Sequence, residues 1–172
     1  MGKILAVAGS LTLGVLAIGC STSQTVVNHP SGSSSGVAHT GDTLTLQNPS
    51  GRHFDITLTQ VVDPAQGVGK TKPKSGKRFV AAIFKLSNSQ GAGFTVNSNL
   101  DADVVGSNGQ VYLPNHASLT QCEKDAVQFQ MASGQSPTTC VAFQLKSSIS
   151  VSKVQFYPAA GSANDYGEWL VP

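Results

Sequence analysis

Two short motifs in this chain have residue types and spacing that could support chemistry. Residues 32–36 follow the pattern G-x-S-x-G, with Ser34 in the place of a nucleophilic serine. That motif exposes a reactive serine only at a turn between a strand and a helix, whereas here it lies in a serine-rich segment. Residues 69–71 end like a phosphate-binding loop, but Pro64 occupies the position of its first glycine. Neither motif predicts catalysis or nucleotide binding.

Histidines and acidic residues are too scattered to predict a metal centre. The histidines at positions 29, 39, 53 and 116 lack the short fixed spacing of a zinc site. Asp101 and Asp103 are two residues apart, as are Glu123 and Asp125, so each pair would share one face of a strand. Acidic pairs can contribute to calcium sites, but the loop ligands of a calcium motif are missing. We expect surface histidines, a solvated acidic strand face, and no metal or other cofactor.

A basic segment is the strongest candidate for a binding surface. It contains Lys70, Lys72, Lys74, Lys77 and Arg78. Two interpretations are open: a solvated loop at the entrance of a strand, or a patch for anionic membrane headgroups or acidic wall polymers. The formal net charge of the whole chain is only +2, which does not indicate nucleic acid as a partner.

The cysteines separate into one residue near the amino terminus and one later pair. Cys20 follows Lys3, an apolar run over residues 4–18 and Gly19, which is the arrangement of an export signal. The apolar run is shorter than the ~20 residues that a membrane-spanning helix needs. In an exported protein, the remaining pair of Cys122 and Cys140 predicts a structural disulfide.

The segment that ends at Cys20 resembles the lipobox of bacterial lipoproteins. Residues 16–20 read Leu-Ala-Ile-Gly-Cys and are followed at once by small polar residues. In that family the cysteine sulfur carries a diacylglyceryl group and becomes the first residue of the mature chain. The resemblance implies cleavage after Gly19, lipidation of Cys20 and anchorage to the outer side of the cell membrane. Secretion without a lipid and an uncleaved anchor are the alternatives.

The remaining chain must supply the scaffold for these residues. After a signal peptide over residues 1–19, residues 20–41 are rich in serine and glycine and predict a flexible tether with an average reach of ~25 Å. Residues 42–172 then form a single domain, in which at least six runs alternate between apolar and polar residues and predict half-buried strands. One such run would bury Leu100, Ala102 and Val104 on one face.

Three further features refine this all-β prediction. Residues 78–88 are almost continuously apolar, which is typical of a central strand covered on both faces. Asn108 and Gly109 predict a hairpin turn, because both residues tolerate positive φ. Residues 166–171 could add a last strand at an edge. Turn signals every 8–15 residues favour a sandwich over alternating strands and helices.

Residues 73–88, 100–112 and 134–145 resemble the telokin-like, immunoglobulin-like exported lipoproteins of bacteria, a family without an established activity. Each segment combines a turn with a strand, and small secreted mycobacterial antigens share the shape. The resemblance implies an immunoglobulin-like antiparallel β-sandwich of about seven strands. The cysteine pair is not a general feature of that family.

These observations lead to an expected function without catalysis. We expect a lipid-anchored interaction module on the extracytoplasmic side of the cell membrane, whose partner is an envelope protein or polymer. A carrier or sensor of a small or anionic ligand, held between or beside the sheets, is the second hypothesis. An enzyme is the third, because no nucleophile is paired with a base in the sequence.

Overall fold

Strands are the main secondary structure in the computed structural model, which describes residues 24–33, 36–47, 51–89, 93–122, 128–161 and 165–172. The described strands are β1 (Thr25–Val27), β2 (Thr43–Gln47), β3 (His53–Ala65), β4 (Lys77–Ser87), β5 (Phe94–Asn97), β6 (Ala102–Gly106), β7 (Val111–Tyr112), β8 (Gln128–Met131), β9 (Thr138–Lys146), β10 (Val151–Phe156) and β11 (Asp165–Leu170). Two four-residue helices, α1 (Ser98–Asp101) and α2 (Pro158–Gly161), and a 3-10 turn (Thr120–Cys122) lie between them.

Two larger sheets face each other and form a β-sandwich. Their strand orders are β1-β11-β10-β6-β7 and β2-β3-β4-β9, and β5 and β8 form a separate pair. The paired strands run antiparallel except β1 and β11, which are parallel. The predicted all-β, immunoglobulin-like sandwich is confirmed. Short strands that lack a clear alternating pattern, such as β1, β5 and β7, raise the number of strands above the predicted seven.

A cluster of aromatic rings joins the two sheets. Phe84 of β4 contacts Phe156 of β10 and Trp169 of β11 edge to face, with ring centroids 5.3 Å and 5.9 Å apart. All three side chains are almost completely buried. The indole Nε1 of Trp169 donates a hydrogen bond of 2.9 Å to the carbonyl oxygen of Asp42. The single tryptophan therefore fills the core without leaving its polar atom unpaired.

The near-continuous apolar run forms the inner strand β4, which is buried on both faces as predicted. Val80 and Phe84 point into the core between the sheets. Phe79 and Ala81, on the opposite face, pack against Leu119 in a second cluster. A polypeptide segment thus covers the outer face of the four-stranded sheet, which explains why the run shows no alternation.

The amino-terminal boundary of the folded body differs from the prediction. Within residues 20–41, Thr25–Val27 form β1 at the edge of the five-stranded sheet, so β11 is an inner strand and not an edge. Ala38 is fully buried, and its backbone bonds to Asn28 and Leu170. The low apolar content of residues 20–41 predicted a tether. A strand that pairs through its backbone with the edge of an existing sheet, however, can be ordered with little burial of apolar side chains. The folded body therefore includes residues 24–33 and 36–41.

The predicted strand over residues 100–104 begins two residues late. Leu100 lies in α1 with 62% of its surface exposed, whereas Ala102 and Val104 are buried as expected. Asp101 is buried, and its carboxylate accepts a hydrogen bond of 2.8 Å from the backbone N–H of Asn97. That bond closes a helical turn, so Asp101 and Asp103 do not share one solvated face. The turn at Asn108 and Gly109, by contrast, joins β6 to β7 as predicted.

Candidate functional site

An open apolar groove lies where α1, the start of β6, the segment after β7 and α2 meet. Its lining includes Asn99, Leu100, Asp103, Leu113, Pro114 and Tyr157, and its volume is about 420 Å³. Leu100 and Leu113 are exposed by 62% and 72% of their surfaces and both line this groove, so the groove presents an exposed apolar surface. The volume lies within the range of pockets that hold small ligands. We refer to this feature as the apolar groove.

Hydrogen bonds and stacking fix the position of Tyr157 in the groove. Its backbone N–H donates to the carbonyl of Asp101, and its hydroxyl donates a bond of 2.9 Å to Oε1 of Gln155. The ring stacks on Tyr166, with centroids 4.7 Å apart and planes 17° from parallel. Gln155 in turn donates to the buried carboxylate of Glu168, which also pairs with Lys153 at 2.8 Å. A continuous network of contacts therefore supports the Tyr157 side of the groove.

The electrostatic character of the apolar groove is set by Asp103 and Tyr157. Asp103 lies on the outer face of β6, opposite Gln155, and burial raises the pKa of its carboxyl group. Burial, assisted by the negative charge of Asp103 and then by Tyr166 and Glu168, raises the pKa of Tyr157 to about 12. Tyr157 consequently remains protonated at neutral pH and acts as a hydrogen-bond donor, not as a base.

A second hollow of about 510 Å³ adjoins the apolar groove and shares Asn99 with it. Asn99 also contacts His116, with 3.1 Å between Nδ2 and Nδ1. Both cysteines of the predicted pair line this hollow and form the disulfide Cys122–Cys140, with Cα atoms 5.2 Å apart. The bond joins the 3-10 turn to β9, so it holds the segment that covers β4 against the sheet.

The basic segment divides into exposed lysines and one paired arginine. Lys70, Lys72, Lys74 and Lys77 are exposed, and we refer to them as the lysine loop. Arg78 instead donates to both carboxylate oxygens of Asp63, at 2.5 Å and 2.6 Å, and to the carbonyl of Lys146. The hydrogen bond to Asp63 also raises the pKa of Arg78. Arg78 therefore contributes a structural contact between β3, β4 and β9 and does not belong to an anionic-surface patch.

The fold places one further lysine beside the lysine loop, and the sequence pattern does not predict it. Lys146 is exposed on β9 and lies directly opposite Lys77 in the β4–β9 register. Backbone bonds from Val68 to Ser118 and from Thr120 to Gln66 hold the loop that carries the other lysines. The charges are therefore displayed from an anchored loop and two paired strands.

The other predicted site residues fall in different places. Cys20 lies outside the described residues, as do Glu123 and Asp125. The four histidines are exposed, as expected. Among the residues that the structure describes, no group of three or more His, Cys, Asp and Glu side chains is placed to hold a metal ion. In the same part of the chain, no helix has the length and apolar character needed to cross a membrane.

Sequence reasoning missed the apolar groove. Its contributors are separated by up to 62 positions, from Asn99 to Gly161, and belong to several elements. The available signal was Leu113 followed by Pro114, an apolar pair outside every alternating run. Leu100 was hidden because it continues the alternation of β6 into α1.

Comparisons with known proteins show the fold only. No protein-family model and no curated protein matches the chain. The crystal structure of the yjhA protein from Bacillus subtilis aligns with a TM-score of 0.56 at 12% identity, over 79% of this chain and 100% of that one. The secreted protein MPT63 from Mycobacterium tuberculosis aligns at 0.49 and 13% identity, over 80% of this chain and 99% of that one. An uncharacterized β-sandwich protein from Clostridium difficile aligns at 0.47 and 11% identity, over 83% and 99%.

Proposed function

We propose that the protein is a non-catalytic binding module of the bacterial cell envelope, attached by a lipid on Cys20 to the extracytoplasmic side of the membrane. The observation that carries the binding role is the apolar groove, whose lining includes the exposed side chains of Leu100 and Leu113. A fold seldom leaves adjacent large apolar side chains in water unless they contact something else. The sequence before Cys20 supports the lipid anchor and the location.

The amino-terminal end of the folded body supports an orientation of this module. Gln24 donates a hydrogen bond of 2.9 Å to the carbonyl of Gly161, a residue that lines the apolar groove. Four peptide steps link Cys20 to Gln24, and a fully extended chain spans at most about 3.6 Å per residue, or about 14 Å in total. A lipid on Cys20 would therefore hold the groove close to the membrane surface, nearer than a 22-residue tether would.

The lysine loop supports a second contact with the envelope. Lys70, Lys72, Lys74 and Lys77 present four exposed positive charges without an acidic partner among the described residues. Each basic residue near an anionic leaflet contributes about 1 kcal/mol of attraction. The proposed partner of this loop is an anionic headgroup or an acidic wall polymer.

A carrier of a small ligand is the alternative, and one observation favours it. The volume of about 420 Å³ suits a small molecule better than the flat surface of a large protein partner. A ligand that co-purifies with the protein at stoichiometric amount, detected by native mass spectrometry, would select the carrier over the interaction module.

Acyl labelling tests the anchor directly. Cells that express the protein are given a radioactive fatty acid, and the Cys20→Ala variant is compared with a Cys122→Ala, Cys140→Ala variant. We expect loss of label and release from the membrane in the first variant only. Continued acyl labelling of Cys20→Ala would contradict the proposed anchor.

A further inference from the structure

Among the acidic residues that the structure describes, Asp103 alone lacks a polar partner on another described residue. The chain has nine acidic residues, of which Glu123 and Asp125 are outside the described ranges, so seven remain. Six of these accept hydrogen bonds from a backbone N–H or from another side chain: Asp42, Asp55, Asp63, Asp101, Asp165 and Glu168. The carboxylate of Asp103 accepts none from the described residues.

The surroundings of Asp103 make this lack of a partner costly. Its side chain is half-buried and lines the apolar groove beside Leu100, Leu113 and Tyr157. Burying a carboxylate without a hydrogen bond or a counter-charge is unfavourable, and the raised pKa of Asp103 reflects that cost. A group that donates to this carboxylate would relieve it.

The neighbouring polar groups are already engaged. The hydroxyl of Tyr157 donates to Gln155, and the ammonium of Lys153 pairs with Glu168. His116 contacts Asn99 in the adjoining hollow. Asp103 is therefore the acidic acceptor of the groove. Its carboxylate oxygens are open to solvent, because among the described residues the one fully buried side-chain N or O atom without a hydrogen bond is Oγ1 of Thr40.

We propose that the apolar groove binds a small organic cation, in which a primary ammonium group contacts Asp103 and an alkyl body contacts Leu100 and Leu113. An ammonium supplies charge-assisted hydrogen bonds to a carboxylate, which are the strong class of such bonds. Its apolar body gains free energy by covering the exposed leucines. The inference rests on the alternative function, the carrier of a small ligand, and names its ligand class; it does not depend on the lipid anchor.

Three matched probes test the charge and the apolar body separately. Full-length protein with labelled leucine methyl groups is titrated in lipid-free solution at pH 7 with n-butylammonium, 1-butanol or butyrate. We expect saturable shifts of the Leu100 and Leu113 signals with n-butylammonium, and affinities weaker by about tenfold or more for 1-butanol and butyrate. This comparison uses only the unaltered protein. Equal affinity for the alcohol, tighter binding of the carboxylate, or no binding of the ammonium would overturn the inference.

A pair of variants localises the charge recognition. Asp103→Asn keeps the shape of the side chain and removes its charge, whereas Asp55→Asn alters a half-buried acid on β3 that already accepts from Thr45. We expect Asp103→Asn to weaken n-butylammonium binding by about tenfold or more and Asp55→Asn to leave it unchanged. Equal effects of the two variants would contradict recognition by Asp103. Failure of acyl labelling at Cys20 would overturn the proposed anchor and leave this result intact.

Discussion

We expect the ionised carboxylate of Asp103 to reduce the stability of the unliganded protein at neutral pH. Burial raises its folded-state pKa above the ordinary value of 3.8, so the folded chain holds this proton more tightly than the unfolded chain does. Protonation of Asp103 therefore stabilises the folded state. This stabilisation is complete below pH 3.8 and is lost as the pH rises through the raised pKa of the folded state. Binding sites typically contain residues that lower the stability of the folded state and have no hydrogen-bond partner within the protein.

The Asp103→Asn variant should therefore be more stable than the unaltered protein at pH 7. We expect its Tm to rise by up to about 3 °C, the effect of ~1 kcal/mol in a domain of this size, since partial exposure screens the charge. The difference should shrink towards zero below about pH 4. Thermal unfolding followed by circular dichroism between pH 3 and pH 8 measures it. Asp55→Asn is the control and should not gain stability, because Thr45 donates to that carboxylate. A lower Tm for Asp103→Asn throughout this range would show that Asp103 has a stabilising contact.

The disulfide acts at the scale of elements, because it fastens the covering segment to the sheet beneath it. Cys122 ends the 3-10 turn and Cys140 is nearly buried on β9, within the cluster formed by Phe79, Ala81 and Leu119. The sequence predicted the pairing of the two cysteines, because they are the pair that remains after Cys20. It could not predict their position beside the second hollow, because that position depends on the path of residues 113–122.

Removal of the bond should destabilise the protein and loosen that segment. For a loop that closes over 18 positions, we expect the Cys122→Ser, Cys140→Ser double variant to lose about 3 kcal/mol of unfolding free energy. Denaturant unfolding measures the loss, and hydrogen exchange should show faster exchange at the N–H of Thr120 and Cys122 than at the core strand β4. An unchanged denaturant midpoint in the double variant would mean that the covering segment stays in place without the disulfide.

The lysine loop is a second element whose role can be measured. Replacing Lys70, Lys72, Lys74 and Lys77 by Gln should weaken binding of the unlipidated domain, residues 24–172, to anionic vesicles by about tenfold or more at low salt. Binding to neutral vesicles should not change. Lys85→Gln, at the far end of β4 from Lys77, is the control and should retain binding. Vesicle sedimentation at a series of salt concentrations measures this binding. Unchanged binding to anionic vesicles after the fourfold replacement would exclude the lysine loop as the membrane contact.

The whole molecule depends on a core that both sheets share. Phe84 is fully buried between Phe156 and Trp169, so Phe84→Ala should cost about 3–5 kcal/mol of unfolding free energy. Leu113→Ala removes a large apolar side chain from the surface and should change stability by less than about 0.5 kcal/mol. Denaturant unfolding of both variants provides the comparison. A loss of several kcal/mol in Leu113→Ala would indicate that this leucine serves the fold and not the groove.

Much of this architecture could be predicted from the sequence, because alternation reports burial along a strand. β2, β3, β9 and β10 follow from alternation, and β4 follows from its uninterrupted apolar run. Alternation carries little information on a strand of three residues, so β1 was assigned to a tether. It also could not show that Asp101 accepts a hydrogen bond from the backbone N–H of Asn97 within a helical turn in which Leu100 is exposed.

The candidate site was less predictable than the fold for a related reason. Lys70, Lys72, Lys74 and Lys77 are close in sequence and so could be named, while Lys146 joins Lys77 only through strand register. The apolar groove is assembled from four elements, and the lack of a partner for Asp103 is a property of three-dimensional packing. Such sites require the fold before they can be recognised.

Photo-crosslinking in intact cells tests most directly whether the apolar groove is the binding surface of an anchored module. A photoreactive amino acid is placed at Leu113 or at Gln60, an exposed residue of β3 in the other sheet. We predict discrete crosslinked products from position 113, reduced by Asp103→Asn, and none of these products from position 60. Identical products from both positions, or no product from position 113, would contradict the account.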